Sequence, residues 1–111
     1  MTVSARNTRV AKATALALSP EQQAQVRQLI AGVLPGAQVA VFGSRATGRA
    51  RPFSDLDLLF IQPPRLTWAQ RADLRETFEA SELPFGVDLV ELDGLAEGMR
   101  QRVLAEALPL P

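Results

Sequence analysis

The chain contains neither cysteine nor histidine. The first absence excludes disulfide bonds and thiol catalysis, and it permits a reducing compartment. The second removes the usual general base and the commonest metal ligand. Chemistry in such a chain falls mainly to carboxylates, which favour hard cations such as Mg²⁺ over Zn²⁺. Lysine is nearly absent as well: Lys12 stands alone against eleven arginines. A GC-rich genome explains that bias as readily as function does, so it carries no weight. No apolar run approaches the ~20 residues of a membrane span, and a cytoplasmic location is expected. A formal net charge of zero gives no bulk attraction to nucleic acid or a membrane surface, so neither is an expected partner.

What is present is ordinary globular composition, 47% hydrophobic over 111 residues, enough for one domain with one core. Residues 1–18 carry Arg6, Arg9 and Lys12 and no acid. Ala13 to Leu18 is too short and too weakly apolar for a secretory core. A flexible basic tail or a marginal helix is expected over 1–18, and a single domain over 19–108.

The first clear element opens at Ser19. Ser19 suits an N-cap, Pro20 the first helical position and Gln22 a capping box. Val26, Leu29, Ile30, Val33 and Leu34 follow at helical spacing until Pro35-Gly36 stops the helix. Gln38 to Phe42 is an apolar, β-branched run, as in a central strand. Asp55 to Ile61 reads as a second strand, ended by Pro63-Pro64. Thr67 and Gln70 form a second capping box, and the helix from Trp68 to about Ala80 is expected to bury Trp68, Ala72, Leu74 and Phe78. Arg71, Arg75, Glu76 and Glu79 are expected to pair along its solvated face. Val87 to Leu92 is a third strand. A last helix, from about Leu95 to Ala107, carries Leu95, Met99 and Val103 on one face. The fold class is therefore α/β (α+β): a small mixed β-sheet of about three strands flanked by helices. The loop between the first two strands, with a short helical turn expected after Ser44, is long for a tight hairpin, and loops of that length are often functional.

Asp55 and Asp57 alternate with Leu56 and Leu58, so the two carboxylates share one face and the leucines take the other into the core. Two close like charges repel, and a divalent cation removes the repulsion. Two Mg²⁺ ions bridging such a pair clamp the attacking and leaving oxygens of a phosphoryl transfer. Taken alone, Asp-x-Asp also fits exposed turn chemistry, with Asp55 or Ser54 capping backbone N–H groups. Asp88 sits among Val87, Leu89 and Val90, where a lone buried carboxylate is costly unless paired or bound to metal. If the third strand lies beside the second, Asp88 meets the pair; on an exposed edge or in a shifted register it does not. Glu91 and Asp93 read as surface charges.

Gly43 and Ser44 follow the first strand directly. A strand that runs into a glycine turn exposes successive N–H groups as an anion cradle. Ser44 adds a hydroxyl and Arg45 a cation able to meet phosphate. No Gly-Lys-Ser/Thr follows, so this is not a Walker A loop.

The order of apolar strand, Gly-Ser, ten residues, Asp-x-Asp and a third-strand Asp some thirty residues on is far more specific than its parts. The stretch GSRATGRARPFSDLDLL closely resembles the signature of the DNA polymerase beta-like nucleotidyltransferase superfamily. Its match is to the small, single-domain minimal nucleotidyltransferase branch, covering roughly Ser19 to Leu108. The resemblance implies a nucleotidyltransferase fold in which Asp55 and Asp57 hold two Mg²⁺ ions. Asp88 would help bind the catalytic metal and draw the proton from the attacking hydroxyl. Gly43 and Ser44 would bind the triphosphate, with Arg45 as a further phosphate contact. Thr47 stands where many relatives carry a second basic residue. ATP as the substrate is implied by the resemblance and by no particular residue.

Larger relatives hold the acceptor in a second domain, and 111 residues are not expected to have room for one. Minimal nucleotidyltransferases resemble, and are often found as, the antitoxin partners of HEPN-domain proteins. The implied activity is transfer of AMP from ATP to a tyrosine of that partner, within a hetero-oligomer. Two other functions fit the same chain: a non-catalytic antitoxin that masks its partner, and the catalytic subunit of a two-chain small-molecule nucleotidyltransferase.

Overall fold

A computed structural model of the chain describes residues 15–110. The basic tail expected over 1–18 therefore lies largely outside the described residues. Its last residues are not a free tail: Leu18 is buried and Leu16 packs beside it, so ordered packing begins ahead of Ser19.

Helix α1 spans Pro20–Val33 and begins with the expected capping box, in which Ser19 and Gln22 satisfy each other's backbone N–H. Strand β1 is Gln38–Phe42 and is followed at once by a one-turn helix α2, Ser44–Thr47. Strand β2 is Leu56–Gln62. Helix α3, Trp68–Glu79, opens with the second capping box, Thr67 with Gln70. Strand β3 is Val87–Glu91, and a 3₁₀ turn over Leu92–Gly94 leads to helix α4, Glu97–Glu106. Two residues, Leu108–Pro109, form β4.

The sheet has four strands in the order β3-β2-β1-β4, one more than expected. β4 is short and contains a proline, which suits an edge. It pairs antiparallel with β1, Val41 opposite Leu108, and Leu110 donates to the Val39 carbonyl at 3.1 Å. β1 and β2 are antiparallel despite the long loop between them. β2 and β3 are parallel, joined through α3, as a parallel pair requires.

Alternation along β2 splits the core between the two faces of the sheet. Leu56, Leu58 and Phe60 point with Val39 and Val41 toward α1 and α3, where Val26, Ile30, Leu74 and Phe78 complete the main core. Leu59 points the other way, with Ala40 and Val103 of α4. Leu56, Leu58, Leu59 and Phe60 are all fully buried, each contributing roughly 1.5–3 kcal/mol of hydrophobic stabilisation. These four buried residues pin β2 in the interior of the sheet and fix the face on which Asp57 emerges.

Several expectations need correction. Trp68 is 93% exposed and Ala72 is exposed too, while Leu74 and Phe78 are buried. The buried stripe of α3 runs through 74 and 78, and Trp68 and Ala72 lie roughly a quarter-turn or more off that line. Arg71 does not pair along its own helix. It reaches across to β3, 3.5 Å from Glu91, and donates to the Leu89 carbonyl at 3.3 Å. Glu91 is correspondingly more than a surface charge, since it also accepts from the Leu66 N–H at 2.8 Å. The last helix begins at Glu97, leaving Leu95 half-buried ahead of it and Met99 exposed; only Val103 of the expected stripe is buried.

Candidate active site

The strand register brings the three predicted carboxylates to one end of the sheet. Phe42 of β1 lies opposite Asp57 of β2, and Asp57 lies opposite Asp88 of β3. Asp57 is thus flanked on its central strand by the residue before the Gly-Ser turn and by the third acid. It shares the α4 side of the sheet with Leu59, as alternation requires. Asp55 stands just before β2, exposed, and its neighbour Leu56 donates its N–H to the Gly86 carbonyl at 2.9 Å. A Cβ on Gly86 would lie 2.9 Å from Asp55 Oδ1, so a small residue there leaves room for that carboxylate. Asp55, Asp57 and Asp88 line a cleft of about 560 Å³, with Phe85, Gly86 and Val87 among its other walls.

Electrostatics single out Asp57. Its carboxyl is pushed up to about 6, first by burial, then by the charge of Asp88 and a hydrogen bond with it, and further by Asp55 and Glu106. Among the described residues no three acidic side chains close into a ready metal nest. The charges of Asp88, Asp55 and Glu106 act together on Asp57. The donor set is nevertheless all oxygen and crowded with negative charge, which suits a hard dication such as Mg²⁺.

The Gly-Ser turn packs directly on this centre. Gly43 adopts φ 77°, ψ −153°, a conformation essentially reserved for glycine, and a Cβ at this position would overlap Asp57 Oδ2. Glycine is therefore required twice over, by backbone conformation and by the approach of the Asp57 carboxylate. Thr47 donates its hydroxyl to the Gly43 carbonyl at 3.0 Å, and the Ala46 N–H meets the same carbonyl at 3.0 Å. Thr47 thereby tightens the turn internally.

Arg45 is placed differently from the expected phosphate contact. It is 4% exposed, and its guanidinium turns inward. Nη1 donates to the Ala17 carbonyl at 2.6 Å, Nε and Nη2 to Ser54 at 3.0 and 2.9 Å, and Nη2 also to Pro52 at 3.1 Å and Arg51 at 3.3 Å. The guanidinium carbon lies 4.1 Å from the centre of the Phe85 ring. Burial pulls its pKa down while Asp55 pulls it up. Arg45 thus ties the loop of residues 51–54, which leads into Asp55, to the turn that begins at Gly43.

One residue of the site was not foreseen. Glu106, in the last turn of α4, accepts the Gly43 N–H at 2.8 Å. A helix C-terminus disfavours acids, so an acid in that turn is the one local signal that could have drawn attention to it.

A family model described as "Polymerase beta, Nucleotidyltransferase" matches residues 36–110. The chain belongs to this nucleotidyltransferase family. It is 36% identical over 86 residues to a "Probable protein adenylyltransferase MntA" of Haemophilus influenzae, a match spanning 78% of this chain and 75% of that protein. Among solved structures, a candidate minimal nucleotidyltransferase aligns with a TM-score of 0.62 at 42% identity, over 80% of this chain and 89% of the other. A toxin–antitoxin crystal structure with AMP-PNP aligns with a TM-score of 0.66 at 26% identity, over 80% and 72%. These similarities place the chain in the minimal branch and make it a nucleotidyltransferase by class, on the mixed α/β fold described above.

Proposed function

We propose that this nucleotidyltransferase moves AMP from ATP to a hydroxyl of a protein partner, a tyrosine of a HEPN-domain toxin, and so acts as an antitoxin in the cytoplasm. The observation that carries the proposal is the pairing of Asp57 with Asp88 directly beside the Gly43-Ser44 turn. A protein that only masks its partner has no physical need for a carboxyl that burial and neighbouring acids push up to about 6, as they do Asp57. The similarity to a relative named as a protein adenylyltransferase, and to a toxin–antitoxin structure with an ATP analogue, supports both the nucleotide and the acceptor class. The HEPN and tyrosine assignments rest on the motif resemblance.

Asp55, Asp57 and Asp88 are the residues that would hold Mg²⁺, and their all-oxygen, mutually repelling arrangement fits it. When bound, Mg²⁺ supplies charge neutralisation of the triphosphate and of the developing transition state. The Gly43-Ser44 turn holds the phosphates through the Ser44 N–H and hydroxyl, the Gly43 N–H being taken by Glu106. Asp88 accepts the proton of the acceptor hydroxyl as its oxygen attacks the α-phosphorus. The bond from that phosphorus to the bridging oxygen breaks, and pyrophosphate leaves with the electron pair. The acceptor reaches the site from a separate chain, in a hetero-oligomer with the partner.

The test is incubation of the purified protein with α-labelled ATP, Mg²⁺ and a lysate of its host. A labelled protein band that disappears with Asp55→Asn/Asp57→Asn is expected. Label in a small-molecule fraction instead would identify the two-chain small-molecule enzyme, and no label with a recovered partner would identify masking.

A further inference from the structure

Gly43 is held from two sides. On one side lies Asp57, against the position where any other residue would carry a Cβ. On the other lies Glu106, which takes the Gly43 N–H through a contact between residues 63 apart in sequence. The backbone of Glu106 is itself fixed on both flanks. Val103, one turn earlier, is buried against the α4 face of the sheet, and the Ala107 N–H closes onto the Val103 carbonyl at 3.0 Å. Two residues after Glu106, Leu108 pairs with Val41 of β1. The carboxylate of Glu106 therefore reaches the first amide of the turn from a rigid base.

The chemistry of this contact is informative. A fourth acid near Asp55, Asp57 and Asp88 is electrostatically unfavourable, and it stands in a helix turn that disfavours acids. What offsets these costs is a hydrogen-bond acceptor for an amide that must be held in a glycine-only conformation. An oxygen acceptor at that point, rather than a negative charge, is what the turn uses.

We propose that Glu106 is a positioning residue of the nucleotide site: through its acceptor oxygen it sets the Gly43 conformation, and with it the Ser44 cradle for the triphosphate. The proposal rests on the nucleotidyltransferase function above. It assigns Glu106 no contact with the substrate and no part in proton transfer.

Two near-isosteric variants separate oxygen from charge. Glu106→Gln keeps an acceptor oxygen at the same reach and removes the charge. Glu106→Asp keeps the charge and withdraws the oxygen by one methylene. Titration calorimetry with AMP-PNP and Mg²⁺ is expected to give Glu106→Gln an affinity within about twofold of wild type and Glu106→Asp one weaker by roughly tenfold or more. The Gly43 amide, followed by hydrogen exchange, should exchange faster in Glu106→Asp and unchanged in Glu106→Gln. In transfer assays the KM for ATP should rise in Glu106→Asp, with the KM for the protein acceptor unmoved. Equal affinities for wild type and both variants, or a loss in Glu106→Gln as large as that in Glu106→Asp, would overturn the proposal while leaving the function intact. Failure of the wild-type protein to bind AMP-PNP at all would overturn both.

Discussion

Asp57 and Asp88 stand directly opposite each other across the parallel β2–β3 ladder, with Asp57 against the Gly43 turn. The pair is costly to the folded protein when both groups are charged. The carboxyl of Asp57 is raised from 3.8 to about 6, so the folded state favours its protonated form. At pH below the unfolded value the penalty is absent. It grows as pH rises between the two values and is complete above about 6. Asp57→Asn should therefore stabilise the metal-free protein at pH 7.5 by about 1–2 kcal/mol, a figure reduced for partial solvent screening. The gain should shrink as the pH falls toward 4. Urea unfolding at the two pH values checks this, and a variant less stable than wild type at pH 7.5 would count against the coupling. The same substitution should abolish AMP transfer, the expected separation of function from stability at such a site.

Arg45 provides a contrast. A phosphate contact could be removed without harm to the nucleotide-free protein, whereas a clamp could not. Its guanidinium serves carbonyls of Ala17, Arg51, Pro52 and Ser54. An ammonium has neither the planar fork nor the donor count to replace it. Arg45→Lys is expected to lower the stability of the nucleotide-free protein by about 2–4 kcal/mol, measured by urea unfolding. Unchanged stability together with weakened ATP binding would return Arg45 to the phosphate role that its neighbours in sequence suggest.

Trp68 gives a direct optical test of the fold, because it is the sole tryptophan. At 93% exposure its native emission should already be that of an indole in water and should shift little on unfolding. Trp68→Ala should change stability by no more than about 0.5 kcal/mol. A blue-shifted native spectrum would contradict its placement.

These cases show which information the sequence displays locally. Both capping boxes were legible because the Ser19–Gln22 and Thr67–Gln70 contacts close within three residues. The placing of Asp55 and Asp57 at the head of β2 was legible from strand alternation beside Leu56 and Leu58. The partnership with Asp88 needed both strand order and register: β3 is an edge strand and Asp88 is exposed on it, yet the register sets it opposite Asp57. The inward turn of Arg45 depends on carbonyls as far away as Ala17, and the contact of Glu106 with Gly43 on how α4 and β4 dock. Neither leaves a periodic mark. β4, two residues long and containing Pro109, falls below the length at which any alternation can be seen. Trp68 misled because a large apolar side chain reads as core, whereas its angular position on α3 places it off the buried stripe.

The most direct measurement of the central claim is the intact mass of the purified protein acceptor after incubation with ATP, Mg²⁺ and either the wild-type chain or Asp88→Asn. The account predicts that wild type adds one AMP to the acceptor, while Asp88→Asn leaves its mass unchanged even though the variant folds and binds AMP-PNP. Modification by Asp88→Asn at the wild-type rate would contradict it, because the acid paired with Asp57 would then have no part in the transfer.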